Sequence, residues 1–157
     1  MNLEELLKDL KSPSDLRRKD AAGALGKSGD PAALMPLIEA LGDPSSAVRD
    51  SAAYALGELA SPDAIPHLIK LLKDGDEWVR KAAAKALGMI GDRQAAYALS
   101  QILDDPSYIV RKSAVRSLGQ IGGPEAAKAL ERAASDKSVI VQEHAREALS
   151  KLKAKKT

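Results

Sequence analysis

The sequence has no cysteine, which excludes disulfides, thiolate nucleophiles and thiolate metal sites together. It has no phenylalanine either; one tryptophan and three tyrosines are its whole aromatic content, 3% of residues. Any core must therefore be aliphatic. No apolar run approaches the ~18 residues of a membrane span, and the opening Met1-Asn2-Leu3-Glu4-Glu5 carries no basic-then-apolar leader pattern. A soluble cytoplasmic protein is expected. Neither sign of charge dominates: 24 basic and 22 acidic side chains leave a net +2. That balance does not demand a nucleic-acid partner.

What is present is aliphatic and helix-forming. Hydrophobic residues make up 45% of the 157, mostly Ala and Leu. With Lys, Glu and Arg these are the strong helix formers, so an all-α chain is predicted. The length is that of one ordinary domain, which buries roughly two-thirds of its unfolded surface.

A period of 31 residues organises the chain. Leu-Gly occurs at 25–26, 56–57, 87–88 and 118–119, and Leu149-Ser150 falls one step further on. A fixed period in this range means stacked similar units. Five are expected, at about 1–29, 30–60, 61–91, 92–122 and 123–153, in one continuous domain with a basic tail at 154–157. Each opens with a short helix A, seen as Leu34-Leu37-Ile38-Leu41 or Ile65-Leu68-Ile69-Leu72 on one helical face. A turn at Ser12, Asp43, Asp74, Asp105 or Asp136 follows, and these residues are expected to cap the longer helix B. Small pairs such as Ala52-Ala53 and Ala83-Ala84 let neighbouring helices approach closely. Gly29, Gly91 and Gly122 suit helix ends. Ala60 stands where the second unit would have its Gly, so that helix end is less sharply defined. In unit five Gln142, Arg146 and Ser150 replace the usual Arg, Ala or Val, and Gly. Nothing is expected to pack beyond them. The lysines of 151–157 are expected on a frayed, solubilising end.

Val79-Arg80-Lys-Ala-Ala83-Ala84-Lys-Ala86-Leu87-Gly88-Met-Ile90-Gly91-Asp92 resembles the HEAT-like repeats of the phycobilin-lyase type. The unit is also similar to the 31-residue repeats of artificial α-solenoid binding scaffolds. The resemblance implies an α-solenoid of five two-helix repeats, about ten helices, in a right-handed superhelix with helix B lining the concave face. It implies less about activity. The framework drifts at Ala40, Leu71 and Ile102, and at Ser28, Leu59, Ile90 and Ile121. That drift favours a natural chain, with an engineered scaffold lacking natural activity as an alternative.

Arg18, Arg49, Arg80 and Arg111 recur at the same period as Asp43, Asp74, Asp105 and Asp136. Equal spacing of both partners favours a structural ladder over an anion-binding stripe. Deoxyhypusine hydroxylase resembles this fold and holds metal with His-Glu pairs early in helix B. The matching positions here are Asp50-Ser51, Lys81-Ala82, Lys112-Ser113 and Glu143-His144. None is His-Glu, so no metal, cofactor or catalytic residue is expected, and His67 and His144 read as ordinary histidines.

By alignment, the exposed helix B positions include Lys19, Lys27, Lys81, Lys85, Lys112, Arg116 and Lys151. They also include Asp15, Asp20, Asp50, Glu58, Glu77, Glu143 and Glu147. These cancel, where a nucleic-acid groove would carry a positive excess. The same face holds Tyr54, Trp78 and Tyr108, with Met89 and Ile109 beside them. Aromatic anchors of this kind mark protein interfaces. The chain is therefore expected to be a non-enzymatic scaffold, a monomer or weak homodimer, that binds a protein or peptide. Tyr54, Trp78, Met89, Tyr108 and Ile109 would supply apolar contacts, and Lys81, Lys85, Lys112 and Arg116 would attract acidic groups. The rival reading is nucleic-acid binding through units three and four.

Overall fold

Each 31-residue unit folds as one short helix and one long one in the computed structural model, which describes residues 1–156. The short helices are α1 (Leu3–Asp9), α3 (Leu34–Ala40), α5 (Ile65–Leu71), α7 (Ala96–Gln101) and α9 (Gly123–Ala133). The long ones are α2 (Asp15–Ser28), α4 (Ser46–Leu59), α6 (Glu77–Ile90), α8 (Tyr108–Ile121) and α10 (Val139–Ala154). Among the described residues there is no strand. One-turn 3₁₀ segments at Pro31–Ala33, Pro62–Ala64 and Arg93–Ala95 lead into α3, α5 and α7. The expected all-α solenoid is what forms.

The amino ends of the long helices differ from expectation. The capping residues are Ser14, Ser45, Asp76, Ser107 and Ser138, two positions after the turn residues expected to cap. Only Ser14 and Asp76 accept a helix N–H with their side chains. The turn aspartates have other work: each accepts the N–H two residues on, at 2.8 to 2.9 Å, and receives an arginine from the preceding unit. The carboxyl end also differs. Helix α10 continues to Ala154, so Lys151 and Lys153 lie on a helix instead of a frayed tail; Thr157 lies outside the described residues.

Ala60 ends α4 in the left-handed conformation, φ 52°, as Gly29 and Gly91 do at 65° and 74°. The helix therefore stops in register without its glycine, at a steric cost of ~1–2 kcal/mol for a residue with a Cβ. Ala60→Gly relieves that strain but loosens the unfolded chain. A net gain of about 0.5–1 kcal/mol is expected in urea melts.

The long helices stack in chain order, α2 on α4, α4 on α6, α6 on α8 and α8 on α10. Each short helix from α1 to α7 packs on the long helix of its own unit, whereas neighbouring short helices touch little apart from α7 and α9. Leu25, Leu56, Leu87 and Leu118 are fully buried between these layers. The glycine that follows each leucine marks where the next long helix crosses. A Cβ on Gly26 would lie 2.6 Å from Ala55 Cα, and one on Gly57 would lie 2.9 Å from Ala86 Cα. Neither distance leaves room for a side chain. In the fifth unit α10 has a long neighbour on one side only among the described residues: Arg146 and Ser150 are exposed and Leu149 is only partly buried.

Candidate functional site

The regularly spaced arginines are structural. Arg18 Nε donates to Asp43 Oδ2 at 2.7 Å and Nη2 to Oδ1 at 2.9 Å, while Nη1 donates to the Ser12 and Pro13 carbonyls. Arg49–Asp74, Arg80–Asp105 and Arg111–Asp136 repeat the arrangement at 2.8 to 2.9 Å through Nε. Each guanidinium thus ties the turn of its own unit to the turn of the next. At the first turn, where no arginine precedes, the aspartate is replaced by Ser12, whose Oγ still accepts the Ser14 N–H at 3.2 Å. At the fifth, Gln142 Nε2 still donates to the Asp136 carbonyl but has no aspartate ahead of it.

These ties shift the titration of Asp43, Asp74 and Asp136. The hydrogen bond from Arg18 holds Asp43 below the usual carboxylate range despite its burial. For Asp74 and Asp136 burial pushes upward, but Arg49 or Arg111, with the N–H of Asp76 or Ser138, outweighs it and the net shift is down. A lowered folded pKa adds stability that is fully present above the unfolded value of ~3.9 and is lost as pH falls through the folded value. Burial shifts Asp50 the other way, against the attraction of Lys81; its contribution has the opposite sign. Urea melts are therefore expected to show stability falling below about pH 4, less steeply in Asp74→Asn.

With Arg18, Arg49, Arg80 and Arg111 bound to aspartates, the other cations of the long helices are Arg17, Arg116, Arg146 and the lysines. Residues i, i+3, i+4 and i+7 share a helix face, which brings Trp78, Lys81 and Lys85 together on α6, and Ile109, Lys112 and Arg116 on α8. Lys81 Nζ sits 5.0 Å from the Trp78 ring centroid. Lys85 Nζ sits 4.6 Å from the ring of Tyr54, on the preceding helix α4. Such cation–ring contacts orient the ammonium without neutralising it. Trp78 is 51% exposed, Tyr108 45% and Tyr54 38%, so none of the three fills the core. Trp78 walls a groove of about 590 Å³ at the amino ends of α6 and α8, beside Asp76, Glu77 and Pro106.

The remaining candidates are less open. Ile109 and Lys112 are partly buried, and Met89 is partly buried against Gly57, where a Cβ would lie 3.0 Å from its Sδ. Met89 therefore also fills the step between α4 and α6. Ala82 and Ser113, which follow Lys81 and Lys112 early in helix B, are buried; Ser113 Oγ donates to the Lys81 carbonyl at 3.2 Å. The helices are simply too close to leave that position open. Sequence reasoning did not single out the second residue of every long helix: Leu16, Ala47, Trp78, Ile109 and Ile140 are all apolar. Reading the alignment by position would have revealed the row. Among the described residues no three of His, Asp and Glu converge as a metal site. His67 is exposed on α5, and His144 Nδ1 lies 2.8 Å from the Ile140 carbonyl.

Comparison with known proteins bears on both the fold and the repeat. No curated protein matches the sequence. Among solved structures, a chain of the CpcE–CpcF complex of phycocyanin lyase from Nostoc sp. is 31% identical with TM-score 0.86. The match covers 98% of this chain but spans only 66% of that one. A designed armadillo repeat protein in complex with the peptide (KR)4 is 27% identical with TM-score 0.74, over 96% of this chain and 81% of the other. Human deoxyhypusine hydroxylase, at 17% identity and TM-score 0.53 over 95% of this chain and 83% of its own, shares the fold alone. The HEAT-repeat profile matches residues 3–81, 41–106 and 65–150. Together these matches span nearly all of the sequence, and the chain belongs to the HEAT-repeat family.

Proposed function

We propose that the chain is a non-enzymatic scaffold that holds a protein or peptide partner on the face of its long helices, the concave side of the array. The observation that carries this reading is the concentration of exposed aromatics there. Three of the four lie on α4, α6 and α8, and two of them carry an ammonium group over the ring. The close approach of α2, α4, α6 and α8 to one another, against the sparse contact between short helices, supports concavity on that side. The lyase chain and the designed armadillo protein were both solved in complexes with another polypeptide, which supports a binding role.

In this reading Tyr54, Trp78, Tyr108 and the exposed part of Ile109 and Met89 make the apolar contacts. Lys81, Lys85, Lys112 and Arg116 attract acidic groups. None of these four cations has an ion pair or hydrogen bond to a carboxylate among the described residues. The test is a pull-down from the source cells with the intact chain and with Trp78→Ala and Tyr108→Ala. Both residues are exposed, so the variants are expected to fold. Loss of a hot-spot aromatic costs ~2 kcal/mol or more of binding, and specific partners are expected to drop out. Undiminished capture would mean that another surface binds. Steep, salt-dependent retention on heparin would instead favour the nucleic-acid reading.

A further inference from the structure

The four open cations and the row of apolar second residues lie side by side, and together they specify more than a general binding face. We infer that the occupant is an extended acidic segment with interspersed aliphatic side chains. Its carboxylates lie over Lys81, Lys85, Lys112 and Arg116, and its apolar groups lie on the row at the amino ends of the long helices. The inference rests on the face proposed above.

The row is formed by Leu16, Ala47, Trp78, Ile109 and Ile140, one per unit. Leu16, Trp78 and Ile140 are exposed, so the chain itself leaves the row uncovered. An apolar side chain at the same position in every unit makes a regularly spaced row, and exposed apolar surface gathered in this way marks interaction surfaces. One helical turn further on, at i+3, stand Lys19, Asp50, Lys81, Lys112 and Glu143. The row therefore runs along the edge of the charged face. A ligand lying across the helices meets hydrophobic contacts on one side and charge on the other, which suits a strand whose successive side chains point in opposite directions.

Charge fixes the sign of the ligand and limits its class. Lys81 and Lys85 on α6 and Lys112 and Arg116 on α8 lie on adjacent helices, and none of the four is in an ion pair among the described residues. Asp50 precedes this patch and Glu143 and Glu147 follow it, so the positive field is short. A nucleic-acid strand crossing the whole array would run its phosphates into those acids. An acidic peptide concentrates its charge in one place and has aliphatic side chains for the row. Five helices at ~8–10 Å spacing span ~32–40 Å, about ten to twelve extended residues.

Trp78 is the only tryptophan, so its fluorescence reports on the site directly. The intact chain would be titrated with extended peptides of about twelve residues that carry Glu only at the central polar positions, with Ser at the outer ones. Their alternate positions are Leu (Glu–Leu) or Ser (Glu–Ser); a third peptide replaces the Glu of the first by Lys (Lys–Leu), and an oligothymidylate of matching length completes the set. The Glu–Leu peptide is expected to bind about tenfold or more tighter than any other probe. Leu16→Ser combined with Ile140→Ser should erase that advantage and leave Glu–Ser affinity unchanged. Equal affinity for Glu–Ser and Glu–Leu would overturn the row while an acid-binding face stands. Preference for Lys–Leu or oligothymidylate would overturn the inference through its charge assignment. Failure of every peptide to bind would also overturn it, while the pull-down decides the broader reading separately.

Discussion

Replacing Arg111 by Met is expected to destabilise the protein by about 3–5 kcal/mol, the range seen when one partner of a buried ion pair is removed. Arg111 is the most buried of the four rungs, with side-chain exposures of 3% for it and 8% for Asp136. Its loss strands a desolvated carboxylate and leaves the Asp105 and Pro106 carbonyls without the Nη1 donor. Arg49→Met should cost less, because that guanidinium is 20% exposed and water can approach its aspartate. Adding Asp136→Asn to Arg111→Met removes the stranded charge and keeps an oxygen for the Ser138 N–H. Denaturant melts of the two singles and the double measure this directly. If the double is as unstable as Arg111→Met alone, the cost lies in lost packing and carbonyl contacts, and charge is secondary.

The second large effect concerns position along the array. Leu87→Ala should cost on the order of 2–5 kcal/mol, as for other fully buried leucines. Leu87 has no exposed surface, and α6 is flanked by α4 and α8. Leu149, its counterpart two units on, is partly buried on a helix with a long neighbour on one side only. Leu149→Ala should therefore cost clearly less, since part of the truncated surface is already wet. Equal losses in urea would mean that the terminal unit is covered in solution, and a dimer through α10 would become the better explanation.

Patterns that repeat with the unit were legible in the sequence. The Leu-Gly period located the five units, and the shared spacing of Arg18 and Asp43 with their copies anticipated the bridges between turns. The identity of the cap was not legible, because Asp43 and Ser45 are both good N-cap types and only the bridge from Arg18 decides between them. Nor was the reason for the glycine. Gly26 meets Ala55, and Gly57 meets Ala86, and a one-dimensional pattern does not say which residue of the next unit lies opposite. That Trp78, Lys81 and Lys85 share one side of α6 was legible, since helical spacing alone brings them together. Its internal contacts were hidden: Lys85 over Tyr54 spans two units, and the depth of Met89 and Ser113 depends on how closely two helices approach.

The substitutions Ser12 and Gln142 bear on how such a chain changes length. Each keeps the hydrogen bond made inside its own unit and gives up only the half that would reach a neighbour. Among the described residues, the extensive contacts between long helices are all between immediate neighbours. A duplication or loss of one whole internal period would therefore rejoin an arginine to an aspartate in the correct geometry and leave every other junction as it was. Any other insertion would misalign one junction and expose its leucines. Growth by whole periods is thus nearly neutral for the fold, while each added period lengthens the surface available to a partner.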